Sequence, residues 1–262
     1  SEVYVISDGV RSNSLLLSYD NQPLSSAEQI LKPAAESLQI SGAADIVIFI
    51  DNLLQDEEDF YDQIDAVYDL IDTIDLSKHQ VAIGLSANPT DIGDGYIVNR
   101  PGIFLPLTND VVAIEDALDT IDSVYDYGDT PDIEQYIATA YEELASVRSN
   151  PDAVPVLLGV QGSHYGSGDS RSKFSFIPDA YAYPIDAMST ADKALDAGMI
   201  VNLVGYGEEP DSCCTYSPTM ADFEQLSYLS GGLYKRFSDA TSLTNYLTSS
   251  IAFTDTPSIE VV

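Results

Sequence analysis

Cations are scarce in this chain: ten lysines and arginines stand against 43 aspartates and glutamates, a formal net charge of −33. Nucleic acid is thereby excluded as a partner. Phosphate binding needs clustered Lys and Arg that release counterions, and Lys32, Arg100 and Arg148 are scattered. Anionic membrane surfaces are disfavoured for the same reason. Long apolar runs are missing too, with none approaching the about 20 residues that cross a bilayer, so membrane insertion is not expected. The only histidines, His79 and His164, are too few and too far apart for a His-rich metal site. The only cysteines, Cys213 and Cys214, are adjacent, without the spacing of a zinc site. A disulfide between neighbours closes a strained small ring. Pairing with another chain, or two small side chains in a loop, are the other readings of that pair.

Several motifs of chemistry are absent as well. No Gly-x-Ser-x-Gly elbow positions a nucleophile. Neither a Gly-x-Gly-x-x-Gly fingerprint nor a Gly-Lys-Ser/Thr phosphate loop follows the first strong strand. An Asp-x-Asp-x-Asp-Gly calcium loop is also missing. These absences argue against an enzyme and against a nucleotide-binding protein.

What is present is a globular composition, 45% hydrophobic and 10% aromatic over 262 residues, ample for a core. The acidic surface suits high ionic strength, diffuse association with divalent cations, or a basic partner, because salt screens self-repulsion within about 10 Å at 0.1 M. Seventeen tyrosines without a tryptophan are read chiefly as core, since tyrosine suits sites with one dry and one wet end.

From Ala44 onward short apolar runs alternate with longer amphipathic stretches, the pattern of parallel strands joined by crossover helices. Residues 44–51 are almost continuously apolar and end in Asp51, which predicts a central strand buried on both faces. Phe60, Ile64, Val67, Leu70, Ile71 and Ile74 recur at helical spacing over 57–75, with aspartates elsewhere. Strands are predicted at 80–86 and 154–160, edge or hairpin material at 93–105, and a helix at 111–125. A turn at 127–131 leads into a helix through Ile137 and Leu144. Beyond it come a helix at 191–197, a strand at 199–206, helices at 220–229 and 240–250, and a turn with a short strand between them. At the ends, residues 3–6, 15–17 and 258–262 read as strands, and 27–38 as a helix interrupted at Pro33. The expected organisation is an extension over 1–43, a main domain over 44–252 and a tail or strand over 253–262. Its class is α/β, a doubly wound, mostly parallel sheet flanked by helices, with extra terminal strands.

The order of these elements resembles the von Willebrand factor A family. Asp51 stands where that family begins an Asp-x-Ser-x-Ser loop, Gly128-Asp129-Thr130 where a second loop supplies a threonine, and the strand ending Gly159-Val160-Gln161-Gly162 where the family has Asp-Gly. The segment 223–234, with its Gly231-Gly232 pair, resembles the closing helix and strand. The resemblance implies a metal-ion-dependent adhesion site at the carboxyl edge of the sheet. There hard cations take oxygens from the three loops in near-octahedral array.

That site is degenerate here. Leu53 replaces the first hydroxyl, Gln55 the second, and Gln161 the third-loop carboxylate. Asp51 and Thr130 remain, with Asp129 as a substitute, and such a set predicts at most weak binding of Mg²⁺ or Ca²⁺ and no required cofactor. Asp51 is expected instead to bond nearby loop amides. The loop carrying Ser163, His164, Tyr165 and Asp169 is small and polar, either a binding loop or a plain connection. An enzyme built on Ser163, His164 and Asp169 is the weaker rival. The resemblance, with a leader already removed, leads us to expect a secreted or cell-surface, non-enzymatic interaction module. It would be an adhesive or structural subunit of a surface filament or matrix, acting through a protein partner or self-association. The alternative is a metal-dependent receptor or adhesin.

Overall fold

A computed structural model describes residues 38–52, 57–86, 92–93, 96–97, 101–121, 123, 133–147, 150–161, 197–207, 227 and 230–254. The strands are β1 (Leu38–Ser41), β2 (Ala44–Ile50), β3 (Gln80–Leu85), β4 (Ile92–Gly93), β5 (Tyr96–Ile97), β6 (Gly102–Thr108), β7 (Val154–Gln161), β8 (Ile200–Tyr206), β9 (Tyr234–Phe237) and β10 (Ile251–Thr254). The helices are α1 (Glu57–Thr73), α2 (Val111–Ile121), α3 (Ile133–Val147) and α4 (Ala240–Ser250).

Six strands form the main sheet in the order β6-β3-β2-β7-β8-β9. All neighbours are parallel except β6, which runs antiparallel to β3 with two register shifts. The predicted α/β class is thus observed: a mostly parallel, doubly wound sheet with helices on both faces.

Strand β2 shows why. Every one of its residues is buried, and its side chains alternate between two cores. Ile46, Ile48 and Ile50 pack with Phe60, Ile114 and Leu247, from α1, α2 and α4. Val47 and Phe49 point the other way, to Tyr136, Ile137, Ala140 and Leu144 of α3. A strand covered on both sides has no polar face, hence the continuous apolar run. Each fully buried aliphatic or aromatic side chain contributes about 1.5–3 kcal/mol. Helix α1 starts with Glu57, Glu58 and Asp59 in its first turn, where carboxylates favour the helix dipole. It buries the stripe Phe60, Ile64, Val67, Leu70 and Ile71 that the spacing predicts. Tyr68 ties α1 to α2, its hydroxyl donating to the Asp119 carboxylate at 2.5 Å with the Glu115 carbonyl 3.1 Å away.

The predicted strands at 80–86, 154–160 and 199–206 match β3, β7 and β8 to within a residue at each end, and the helix at 240–250 coincides with α4. The stretch 93–105 divides into the β4–β5 hairpin and the antiparallel edge strand β6. One local expectation fails: Leu38, placed at the end of a helix, opens β1. That strand pairs in parallel with β10, Leu38 opposite Ile251 and Ile40 opposite Phe253. Burial decides it, because Leu38 and Ile40 enter the core on one face at strand spacing. Strand β1 lies in the expected extension, and β10 spans the boundary drawn at residue 253. The strands expected at 3–6, 15–17 and 258–262, and all but residue 197 of the helix expected at 191–197, lie outside the described residues.

Candidate adhesion site and its chemistry

The strand order reverses at β2, which has β3 on one side and β7 on the other. Doubly wound folds bind ligands outside the carboxyl ends of the strands at such a switch. Asp51 follows β2 and Gln161 ends β7. The register Phe49 opposite Gly159, carried two places on, puts Asp51 level with Gln161. Both predicted positions thus stand at the carboxyl ends of adjacent strands. Gln55, Asp129, Thr130, Cys213, Cys214, Ser163, His164, Tyr165 and Asp169 lie outside the described residues.

Asp51 is fully buried. One carboxylate oxygen, Oδ1, accepts from the Ser86 hydroxyl at 2.8 Å, and its backbone N–H donates to Gln63 Oε1 at 3.1 Å. Ser86 follows β3 and is itself fully buried, its N–H bonded to the Ile50 carbonyl at 3.2 Å. The Ser86 hydroxyl also bonds the Tyr136 hydroxyl in a short contact. With Ser86 giving its proton to Asp51, Tyr136 is the donor in that second bond. The result is a relay, Tyr136 to Ser86 to Asp51, running from α3 through the end of β3 to the end of β2. Tyr136 is held by its ring, which stacks on Phe49 with centroids 4.5 Å apart and planes 11° from parallel. Gln63 is held by its amide, which donates to the Asp59 carbonyl at 3.2 Å.

The Ser86 hydroxyl, just past the neighbouring strand, is one partner of Asp51, and residues 53–56, whose amides were the expected partners, lie outside the described residues. Three residues of this network were not singled out from the sequence. Gln63 is a polar residue one place from Ile64 on the buried stripe of α1, and such a residue demands a partner. Tyr136 stands four residues before Ala140 on the buried face of α3, and its phenol makes the same demand. Ser86 carried no signal beyond its place at a strand end. Removing its hydroxyl in Ser86→Ala is expected to cost about 2 kcal/mol in urea unfolding, because it leaves a buried carboxylate oxygen short of a donor.

The carboxyl edge is also acidic. The Tyr206 hydroxyl, at the end of β8, donates to Asp62 on α1. Burial pushes the Tyr206 phenol well above its ordinary range, and Asp62, Asp59 and Asp239 push it further in the same direction. The phenol therefore stays protonated. Asp239 caps α4 by accepting the Ser242 N–H at 2.9 Å, a bond that lowers its carboxyl pKa.

Of the expected ligand set, Asp51 and Gln161 alone fall among the described residues. One carboxylate oxygen of Asp51 is bound to a hydroxyl proton, and that hydroxyl's oxygen faces Tyr136. Among the described residues no three His, Cys, Asp or Glu side chains converge.

This strand order, with an antiparallel edge strand and Asp51 at the switch, is that of the von Willebrand factor A fold. Comparison with solved structures gives the same fold. The pilus adhesin SpaC of Lactobacillus rhamnosus GG aligns over 79% of this chain and 29% of its own, at 16% identity and a TM-score of 0.56. Proximal thread matrix protein 1 of the mussel byssus aligns over 80% of this chain and 47% of its own, at 15% identity and a TM-score of 0.53, in a form whose adhesion motif is occupied by zinc. A von Willebrand factor type A protein of Catenulispora acidiphila aligns over 80% and 41%, at 12% identity and a TM-score of 0.50. The chain spans less than half the length of each. No family model and no curated protein matches it by sequence.

Proposed function

We propose that this chain is a non-enzymatic interaction module, adhesive or structural, that acts by protein–protein contact in a secreted or cell-surface filament or matrix. The observation that carries the reading is the engagement of Asp51. The carboxylate from which the fold would build a metal bridge is buried and bonded to Ser86. Ligand capture through a cation is therefore replaced by contact between surfaces. The similarity to a pilus adhesin and a thread matrix protein supports an adhesive or structural role. The rival is a receptor that holds a weak Mg²⁺ or Ca²⁺ on Asp51, Asp129 and Thr130, and the zinc-occupied mussel protein is what favours it.

Sedimentation velocity with and without excess chelator tests the proposal. Self-association is expected to survive the chelator and to disappear when residues 258–262 are deleted, if that alternating segment adds to a neighbour's sheet edge. Dissociation by the chelator would overturn the metal-free reading, and unchanged oligomer size after the deletion would reject strand addition. Salt gives an independent sign. Copies each carrying −33 repel, so self-association is expected to strengthen from low to physiological ionic strength, whereas binding to a basic partner would weaken.

A further inference from the structure

We propose that His79 is an acid-sensitive latch that fastens the β1–β10 pair to the body of the domain. His79 is 2% exposed and immediately precedes β3, at the sheet edge opposite Asp51. Its Nδ1 accepts the backbone N–H of Ala44, the first residue of β2, at 3.0 Å. The ring is therefore neutral, with its proton on Nε2. The same ring packs on Phe253 of β10, with centroids 4.1 Å apart and planes tilted by 35°. Its backbone N–H is fixed to the Asp75 carbonyl at 3.0 Å. The His79 ring thus joins the start of the central strand to the strand pair, while its backbone holds the turn after α1. That pair has four residues on each side. A two-stranded ribbon of that size is marginal alone, so its order depends on how it is docked.

Protonation turns Nδ1 from an acceptor into a donor aimed at another donor, the Ala44 N–H, and places a cation against the Phe253 ring in a buried site. Both forms cannot share this geometry. Charged groups on the surrounding elements are Asp45 on β2, Asp72 at the end of α1, Asp75 and Lys78 in the turn, and Asp152 ahead of β7; β1 and β10 contribute none. Asp45 is 2% exposed, while the Asp75 carboxylate is engaged by Ser77 and Lys78. Docking is therefore complete while His79 is neutral and is lost as the ring takes up its proton on acidification. Such a latch would free the flanking chain while the six-stranded sheet stays formed. It stands or falls independently of the interaction role above.

Hydrogen–deuterium exchange at neutral pH and at mildly acidic pH, corrected for intrinsic rates, reads the latch directly. Peptides covering 38–41 and 251–254 are expected to lose about tenfold or more of their protection in acid, with β2, β3 and β7 unchanged. In His79→Asn, whose amide oxygen can still accept from Ala44 but cannot take a proton, the acid response is expected to vanish. Equal protection of both strands at both pH values, or a full acid response in His79→Asn, would overturn the proposal. Ring ¹⁵N shifts of the unmutated protein, assigned with His164→Gln, give a second reading that needs no change at residue 79. They are expected to show the Nε2–H tautomer at neutral pH, and an Nδ1–H or doubly protonated ring there would also overturn it.

Discussion

Tyr136→Ala is expected to lower the unfolding free energy by about 3–5 kcal/mol in urea denaturation, the cost of deleting a large aromatic from a packed core. Tyr136 is fully buried and stacks on Phe49, the side chain for which β3 leaves room with a glycine. A Cβ on Gly84 would come within 2.6 Å of the Phe49 ring. The ring of Tyr136 thus contributes packing, and its hydroxyl contributes the first link of the relay to Asp51. Tyr136→Phe separates the two. It keeps the stack and removes the hydroxyl's bond to Ser86, so it is expected to cost only about 1 kcal/mol. Equal losses in the two variants would mean that the hydroxyl, and not the stack, holds α3 to the sheet.

Gly232→Ala is expected to be comparably damaging, on the order of 3 kcal/mol, because the clash it creates is with backbone. A Cβ there would stand 2.1 Å from the Val201 carbonyl oxygen and 2.9 Å from the Asn202 side-chain oxygen. Neither can yield cheaply. Asn202 is buried and its Oδ1 accepts the Leu233 N–H at 2.8 Å, while the Gly232 N–H donates to the Ser227 carbonyl at 2.7 Å. These bonds set the approach of β9 to β8, so the variant should also lose exchange protection over residues 234–237. Gly42→Ala is the control. Its φ of +85° strains an alanine, but nothing lies within 4 Å of the added carbon, and a loss of only about 1 kcal/mol is expected.

The sequence discloses those parts of the fold whose burial is simple. Strand β2 is legible because both its faces are covered, and α1 because only one of its faces is. The pair β1–β10 is not legible, since four residues carry too little pattern and their partner lies at the other end of the chain. At the site, the degenerate loop can be read from Asp51, Leu53, Gln55 and Gln161, because the loss of hydroxyls and of a carboxylate is a matter of residue type. What Asp51 does instead is set by tertiary packing. Ser86 becomes its partner through the alignment of β2 with β3, and Tyr136 through the way α3 lies across them. No local spacing encodes either contact. His79 shows the same limit: as a lone histidine it points to no metal site, and its role depends on a strand from the far terminus.

We propose that Asp51, bonded to Ser86, does not build an adhesion-type metal site. Calorimetric titration of the intact chain with Mg²⁺, Mn²⁺ and Ca²⁺, beside Asp51→Ala, tests it most directly. Only weak heats, without saturation and the same in both proteins, are expected, as for ions gathering on an acidic surface. Saturable binding that disappears in Asp51→Ala would contradict it.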